Sequence, residues 1–308
     1  MALLTPEEVL DCIAQHKPLH KAELSQLNLT GQVLAGGDFT KAYLRGGKFA
    51  HATCQATNFT GAILHFANFS DAVVTGVNFT GAELNSAICN GANFSQAKAT
   101  KIKLYGASLN YLDAQGADFS QADFRESHAP HANFAQAVGD RAHFGAAKFT
   151  EANFSSGSFR RTQFIQAQLE QTQWQQATLD KANFQDASLR GAQFNQAQLI
   201  ETNLSYTRLQ DIDFAHAELL SANLSNSILT QVNFTQASLY EADFDGARLI
   251  EVNFDQANLE NANFENTAWQ GTDFSTARVK GAVFTDAEGL TEVQKEWLRE
   301  QGATNVPQ

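Results

Sequence analysis

From Leu24 to Phe284 every fifth residue falls in one recurring class, over 53 consecutive positions with no insertion or deletion. Leu or Phe fills 43 of these positions, which together hold 23 of the 24 phenylalanines, so a single structural role must recur at each of them. Phe66 is the exception. The residue two before each centre is Ala in 33 cases, and Asn or Asp often stands between, as in Ala67-Asn68-Phe69, Ala182-Asn183-Phe184 and Ala262-Asn263-Phe264. A period of five fits neither the 3.6 of a helix nor the 2 of a flat strand. The chain must therefore turn a corner in every pentad, with the small Ala and the large Leu or Phe pointing inward and the remaining residues facing water. Glycine recurs two after the centre, at Gly31, Gly61, Gly81, Gly91 and Gly191, where a corner calls for positive φ.

These residues resemble the pentapeptide-repeat family, whose pattern is A(D/N)LXX, over roughly 85% of the chain. The resemblance implies an all-β solenoid: a right-handed quadrilateral parallel β-helix with four pentads, about 20 residues, in each coil. The pentads then make about 13 coils, and at ~4.8 Å per stacked strand a rod about 60 Å long. Residues one coil apart would stack in columns, and burial of each Leu or Phe would stabilise by roughly 1.5–3 kcal/mol. Such a stack must protect its ends. Thr5-Pro6-Glu7-Glu8 reads as a capping box with Pro at the first helical position, and Val9, Leu10 and Ile13 supply an apolar face, which predicts a helix from about Pro6 to Gln15. Thr291 to Gln294 repeats the signature, Val293, Trp297 and Leu298 supply the stripe, and Gly302 stops the helix. The expected organisation is a capping helix over 1–20, a β-helix over 21–286, and a C-terminal helix and tail over 287–308.

The centres alternate between Leu and Phe, but the phase of the alternation changes along the chain. Phe39, Phe49, Phe59, Phe69 and Phe79 occupy the two column types that later carry Leu179, Leu189 and Leu199, while Phe184, Phe194 and Phe234 occupy those that carry Leu earlier. Small centres, Cys89, Ala99, Ala114, Ala129 and Gly139, crowd the interval. An irregular zone over 89–145 is therefore expected, as a waist, a cavity or a bulge. Ser127-His128-Ala129-Pro130-His131 and Val138-Gly139-Asp140-Arg141 are the expected bulges, because Pro130 removes a donor.

No nucleophile-elbow, phosphate-loop, zinc-protease or dinucleotide motif occurs, so no enzyme and no cofactor are expected. The three cysteines, Cys12, Cys54 and Cys89, show neither a disulfide framework nor a metal spacing, and a reducing compartment fits them. No apolar run reaches membrane length and the start lacks a secretory pattern, which points to a cytoplasmic protein. Net charge is −12, and residues 200 to 290 carry 14 acids against 4 bases, a balance that argues against direct nucleic-acid binding.

The function expected is a non-enzymatic protein–protein interaction scaffold or regulator, of a kind the family supplies in cyanobacteria, acting on an unnamed partner protein. The contact zone expected is His128, His131, Asp140, Arg141 and His143, with the three histidines close together and no metal assigned. The alternative is a DNA mimic that binds a type II topoisomerase such as gyrase through an acidic surface: Glu201, Asp211, Asp213, Glu241, Asp243, Asp245, Glu251 and Asp255. A monomer is expected, with a dimer through the C-terminal helix as the family's other option.

Overall fold

The computed structural model describes residues 4–308, so residues 1–3, the start of the segment expected to cap the first coil, lie outside the described residues. The chain forms two compact units, one ending at Ser158 and one spanning Phe159–Gln308. In each unit a turn recurs in every pentad, and the residue just before each centre pairs in parallel with the residue 20 further on. Four pentads thus make one coil. The coils of each unit stack as a parallel β-helix.

Local chemistry explains the pentad. The amide two residues after a turn's first residue is reached by a carbonyl three back, as when the Ala42 N–H donates to the Phe39 oxygen at 2.9 Å. The second turn residue lies at positive φ, as type II turns require, and most such residues are not glycine: Lys41, Gln96, Arg141 and Glu201 all lie near 54–61°. Asn or Asp before the centre closes the corner with its side chain. The Thr40 N–H donates to Asp38 Oδ1 at 3.1 Å, and the Ser95 N–H to Asn93 Oδ1 at 2.9 Å. This is why Asn and Asp share that slot, since both present an acceptor to a nearby amide.

The first unit opens on α1, Pro6–Ala14, whose capping box joins Thr5 and Glu8 and whose Val9 is buried. The repeat begins one pentad before the expected first centre, because Leu19 is buried and its N–H donates to the Asp38 oxygen at 2.8 Å. Every centre from Leu24 onward is buried, and the rings stack at the spacing of the coils. Phe39, Phe59 and Phe79 pile at 5.1 and 5.2 Å, and Phe49 lies on Phe69 at 4.6 Å.

The bulges expected at 127–131 and 138–141 do not form. His128 pairs with Ser108 and Lys148, Val138 with Asp118 and Ser158, and the same turn pattern runs through the whole zone. Two facts account for the correction. Pro130 sits at the first turn residue, whose N–H normally meets an Asx side chain rather than the coil ladder, so its missing donor leaves the ladder intact. The change of phase is absorbed by rings instead of backbone: above Phe79 the next centre in its column is Ala99, and Phe94 from the adjoining side fills the space, stacked on Phe79 at 5.1 Å. Further on, Phe124 lies on Phe144 at 4.6 Å and Phe134 on Phe154 at 5.3 Å, now in the other two columns.

In the second unit Trp174 and Phe194 stack at 5.8 Å, followed by Phe214, Phe234 and Phe254 at 5.0 to 5.3 Å. Four rungs on one side lengthen into the strands β1 (Arg208–Gln210), β2 (Ile228–Thr230), β3 (Arg248–Ile250) and β4 (Ala268–Gln270), paired in that order in parallel register. They precede Ile212, Val232, Val252 and Thr272, a pile of β-branched residues where Ala is usual, which favours extended backbone. Each buried indole has its own acceptor: Trp174 Nε1 donates to Thr172 Oγ1 and Trp269 Nε1 to Thr267 Oγ1, both at 2.8 Å.

The ladder ends at Gly289, where a Cβ would stand 2.1 Å from the Trp269 carbonyl oxygen at a φ of +82°, so only glycine lets the chain leave the coil. α2, Glu292–Glu300, follows with a capping box of Thr291 and Gln294; its Leu298 is buried, but Val293, expected in the apolar stripe, is 77% exposed. After α2 the tail returns to the edge. Gly281 N–H donates to the Gly302 oxygen and Phe284 N–H to the Thr304 oxygen, which closes the ladder with backbone as well as with a helix. Among the described residues no helix is long and apolar enough to cross a membrane.

Candidate interaction surface

The expected contact residues fall on different sides of the first unit. His128 lies on the side between the corners at Arg125-Glu126 and Pro130-His131, exposed between Ser108 and Lys148. His131 is on the second of those corners. Asp140 and Arg141 form a corner two pentads later, diagonally across a four-cornered coil, and Asp140 Oδ1 accepts from Ser158 Oγ at 2.7 Å. His143 stands on the side of Asp123, its partner in the ladder. His128 and His131 are thus brought to one side, while the other three are not. Among the described residues no group of three or more His, Cys, Asp or Glu is placed to hold a metal ion.

Around His131 the corner is built from rings. His131 stacks on Tyr111 at 4.9 Å with the planes 10° apart, and its Nδ1 lies 3.2 Å from Glu151 Oε2. Beneath them Asn90 Oδ1 accepts the Asn110 N–H at 2.9 Å and Ser108 Oγ at 2.8 Å. The next rung breaks, because Pro130 has no N–H to offer, and Asn110 Oδ1 is left buried without a partner.

The neighbouring corner of the same side carries features that the period-five reading passes over. Arg45 Cζ lies 4.8 Å from the centroid of the Phe66 ring, and Arg125 Cζ lies 6.0 Å from that of Tyr105. Asp123 receives two bonds from Arg125, at 2.8 and 2.7 Å. Against a burial penalty, this guanidinium and the Arg125 N–H hold the Asp123 carboxyl below its usual range. Glu83 lies 2.7 Å from Lys103 Nζ and 3.0 Å from His65 Nε2, and the Lys103 ammonium draws its carboxyl below the ordinary value of 4.5. The one sequence signal for this corner is Phe66, the phenylalanine out of step with the repeat.

The acidic residues of the second unit are spread over several columns and are tied into them. Glu201 and Glu241 share one corner column and Asp211 and Glu251 another, with Lys181 Nζ 3.0 Å from Glu201 and Arg190 Nε 3.7 Å from Asp211. Asp213 and Asp243 serve as corner acceptors, for the Ala215 and Asp245 N–H groups at 3.0 Å, while Asp245 accepts from Asn266 Nδ2 and Asp255 from Thr276 Oγ1, both at 2.7 Å. Burial pushes the Cys54 and Cys89 thiols up to about 12, so neither is a nucleophile at neutral pH.

A parallel β-helix of five-residue sides, with an inward Ala and an inward Leu or Phe on each, defines the class of protein. Family models agree: the pentapeptide repeats, eight copies, match residues 38–76, 48–85, 87–125, 117–155, 227–266 and 257–288, and the pentapeptide repeat region matches 140–224 and 167–244. The chain belongs to the pentapeptide-repeat family. Among solved structures it is similar to HetL, a pentapeptide repeat protein involved in heterocyst differentiation regulation from the cyanobacterium Nostoc, at 22% identity over 91% of this chain and 97% of that one, with a TM-score of 0.27. QnrB1, a plasmid-mediated fluoroquinolone resistance protein, is 19% identical over 64% and 90%, with a TM-score of 0.25. A pentapeptide repeat protein of the Arabidopsis thaliana thylakoid lumen is 22% identical over 50% and 79%, with a TM-score of 0.21. No curated protein matches the chain.

Proposed function

We propose that the chain is a non-enzymatic interaction protein of the cytoplasm that presents the outer faces of a right-handed quadrilateral β-helix, as a monomer, to a partner protein. One observation carries this reading: on the side of the first unit bounded by the Tyr105-Arg125 and Tyr111-His131 corners, Ile88, Tyr105 and Tyr111 are 41, 40 and 66% exposed on a backbone fixed by ladders above and below. Exposed aromatic groups beside Arg are the composition of interface centres, and a surface already ordered loses little freedom on docking. His128 and His131 belong to this contact side, His143 to the adjoining one, and Asp140 and Arg141 to a corner outside it. The test is capture of a partner from the native host by the intact chain, then by His128→Ala and Tyr111→Ala. A retained partner that weakens with both changes supports this side, whereas one indifferent to both removes it.

The topoisomerase reading draws on the acidity of the second unit, whose acids stand on several columns rather than along one line. Protection of gyrase supercoiling activity from a quinolone by the purified chain would favour it over the scaffold.

A further inference from the structure

Phe66 carries a cost that folding does not explain. Its ring is 53% exposed at the turn position where every corner takes positive φ, here 59°, a position that Gly31, Gly61 and Gly81 fill with no ring to expose. The other phenylalanines are repeat centres inside the coils. The ring is not idle, since the Arg45 guanidinium lies over it at 4.8 Å. Around this corner the charges are uneven: Lys103 and Arg125 have Glu83 and Asp123, whereas Arg45 and Lys48, both exposed, have no carboxylate within ion-pair distance among the described residues. Tyr43, two residues before Arg45 in the same coil, is 48% exposed.

We propose that the corner of Arg45, Lys48 and Phe66 docks an acidic peptide segment of another protein, in which a large apolar side chain lies between carboxylates. The apolar group covers Phe66 and Tyr43, and the carboxylates take Arg45 and Lys48. A net charge of −12 makes two whole copies repel each other, while the two uncompensated cations attract carboxylates locally, so a short acidic segment, which brings less charge than a second copy, is the favoured occupant of this one place. A guanidinium already seated on a ring is preordered for a carboxylate, which lowers the cost of binding. The inference rests on the reading of the chain as an interaction protein and adds the chemistry of what it recognises.

The test is to pan the whole chain against phage-displayed random dodecapeptides and to measure the enriched peptides by fluorescence anisotropy. Peptides with Asp or Glu flanking a large apolar residue are expected, and R45E and Phe66→Asn should each weaken them by about tenfold or more. Phe66→Asn should also leave the melting temperature unchanged or higher, which a structural role for the ring would not allow. K101E, the same charge change at another corner, should have little effect. The proposal is overturned if no peptide is enriched, if the enriched peptides lack acids, if R45E and Phe66→Asn leave them bound, or if K101E weakens them equally. It is also overturned if sedimentation shows self-association that R45E abolishes, because the occupant would then be a second copy. A host partner that survives R45E and Phe66→Asn but is lost in Tyr111→Ala would sink this corner and leave the scaffold standing.

Discussion

At the scale of the residue, tryptophan replaces phenylalanine or leucine at a centre only where Thr stands two residues earlier, as in Thr172-Gln173-Trp174 and Thr267-Ala268-Trp269. The hydroxyl accepts the indole N–H at 2.8 Å and donates to a carbonyl in turn, with Thr267 Oγ1 bonded to the Phe264 oxygen at 2.6 Å. Thr267→Ala should therefore cost about 1–3 kcal/mol in denaturant unfolding, and Trp269→Phe in the same chain should recover part of the loss by removing the orphaned donor. Glu83 gives a second prediction. Its folded value lies below the ordinary 4.5, so its contribution is complete above that pH and is lost as pH falls through the folded value. Melting temperatures of wild type and Glu83→Gln should differ near neutrality and converge in acid; curves that stay parallel below pH 4.5 would contradict the Lys103 pairing.

At the scale of the element, the closing edge of the second unit depends on more than its helix. The tail after α2 supplies Gly302 and Thr304 to the last coil, and Arg299 and Lys295 hold its final residues through their carbonyls. Removing residues 302–308 should accelerate amide exchange at Gly281 and Phe284 well before the interior of the second unit, while Thr5→Ala should cost the first unit about 1 kcal/mol at the start of α1. Equal exchange in both chains would show that α2 alone closes the edge. The two capping boxes were legible because each rests on four neighbouring residues. The tail's return was not, since Thr304 lies 21 residues from Val283, one step outside the 20-residue register, and no local pattern announces it. The regular backbone at Pro130 was misjudged for a related reason: whether a lost N–H matters depends on which ladder that position serves, and only the coil reveals it.

At the scale of the whole molecule, the period of five fixes which side chains point in, and the period of 20 fixes which outward residues meet. The first is visible by eye, and the inward set from Leu24 to Phe284 was legible throughout. The second must be counted. His128 and His143 are 15 apart and stand on adjoining sides, whereas His131 Nδ1 and Glu151 Oε2, from residues 20 apart, lie within 3.2 Å of each other. Proximity in sequence therefore gathered His128, Arg141 and His143 into a site that the coils divide. The measurement that reaches this account most directly uses pyrene on cysteines placed in the first unit, with Cys12, Cys54 and Cys89 replaced by alanine. Labels at Asn78 and Lys98, ladder partners one coil apart, should give strong excimer emission, and labels at Asn78 and Ile88, on opposite sides of one coil, should give none. Excimer from the second pair, or its absence from the first, would contradict the stacking from which every column, corner and surface above is built.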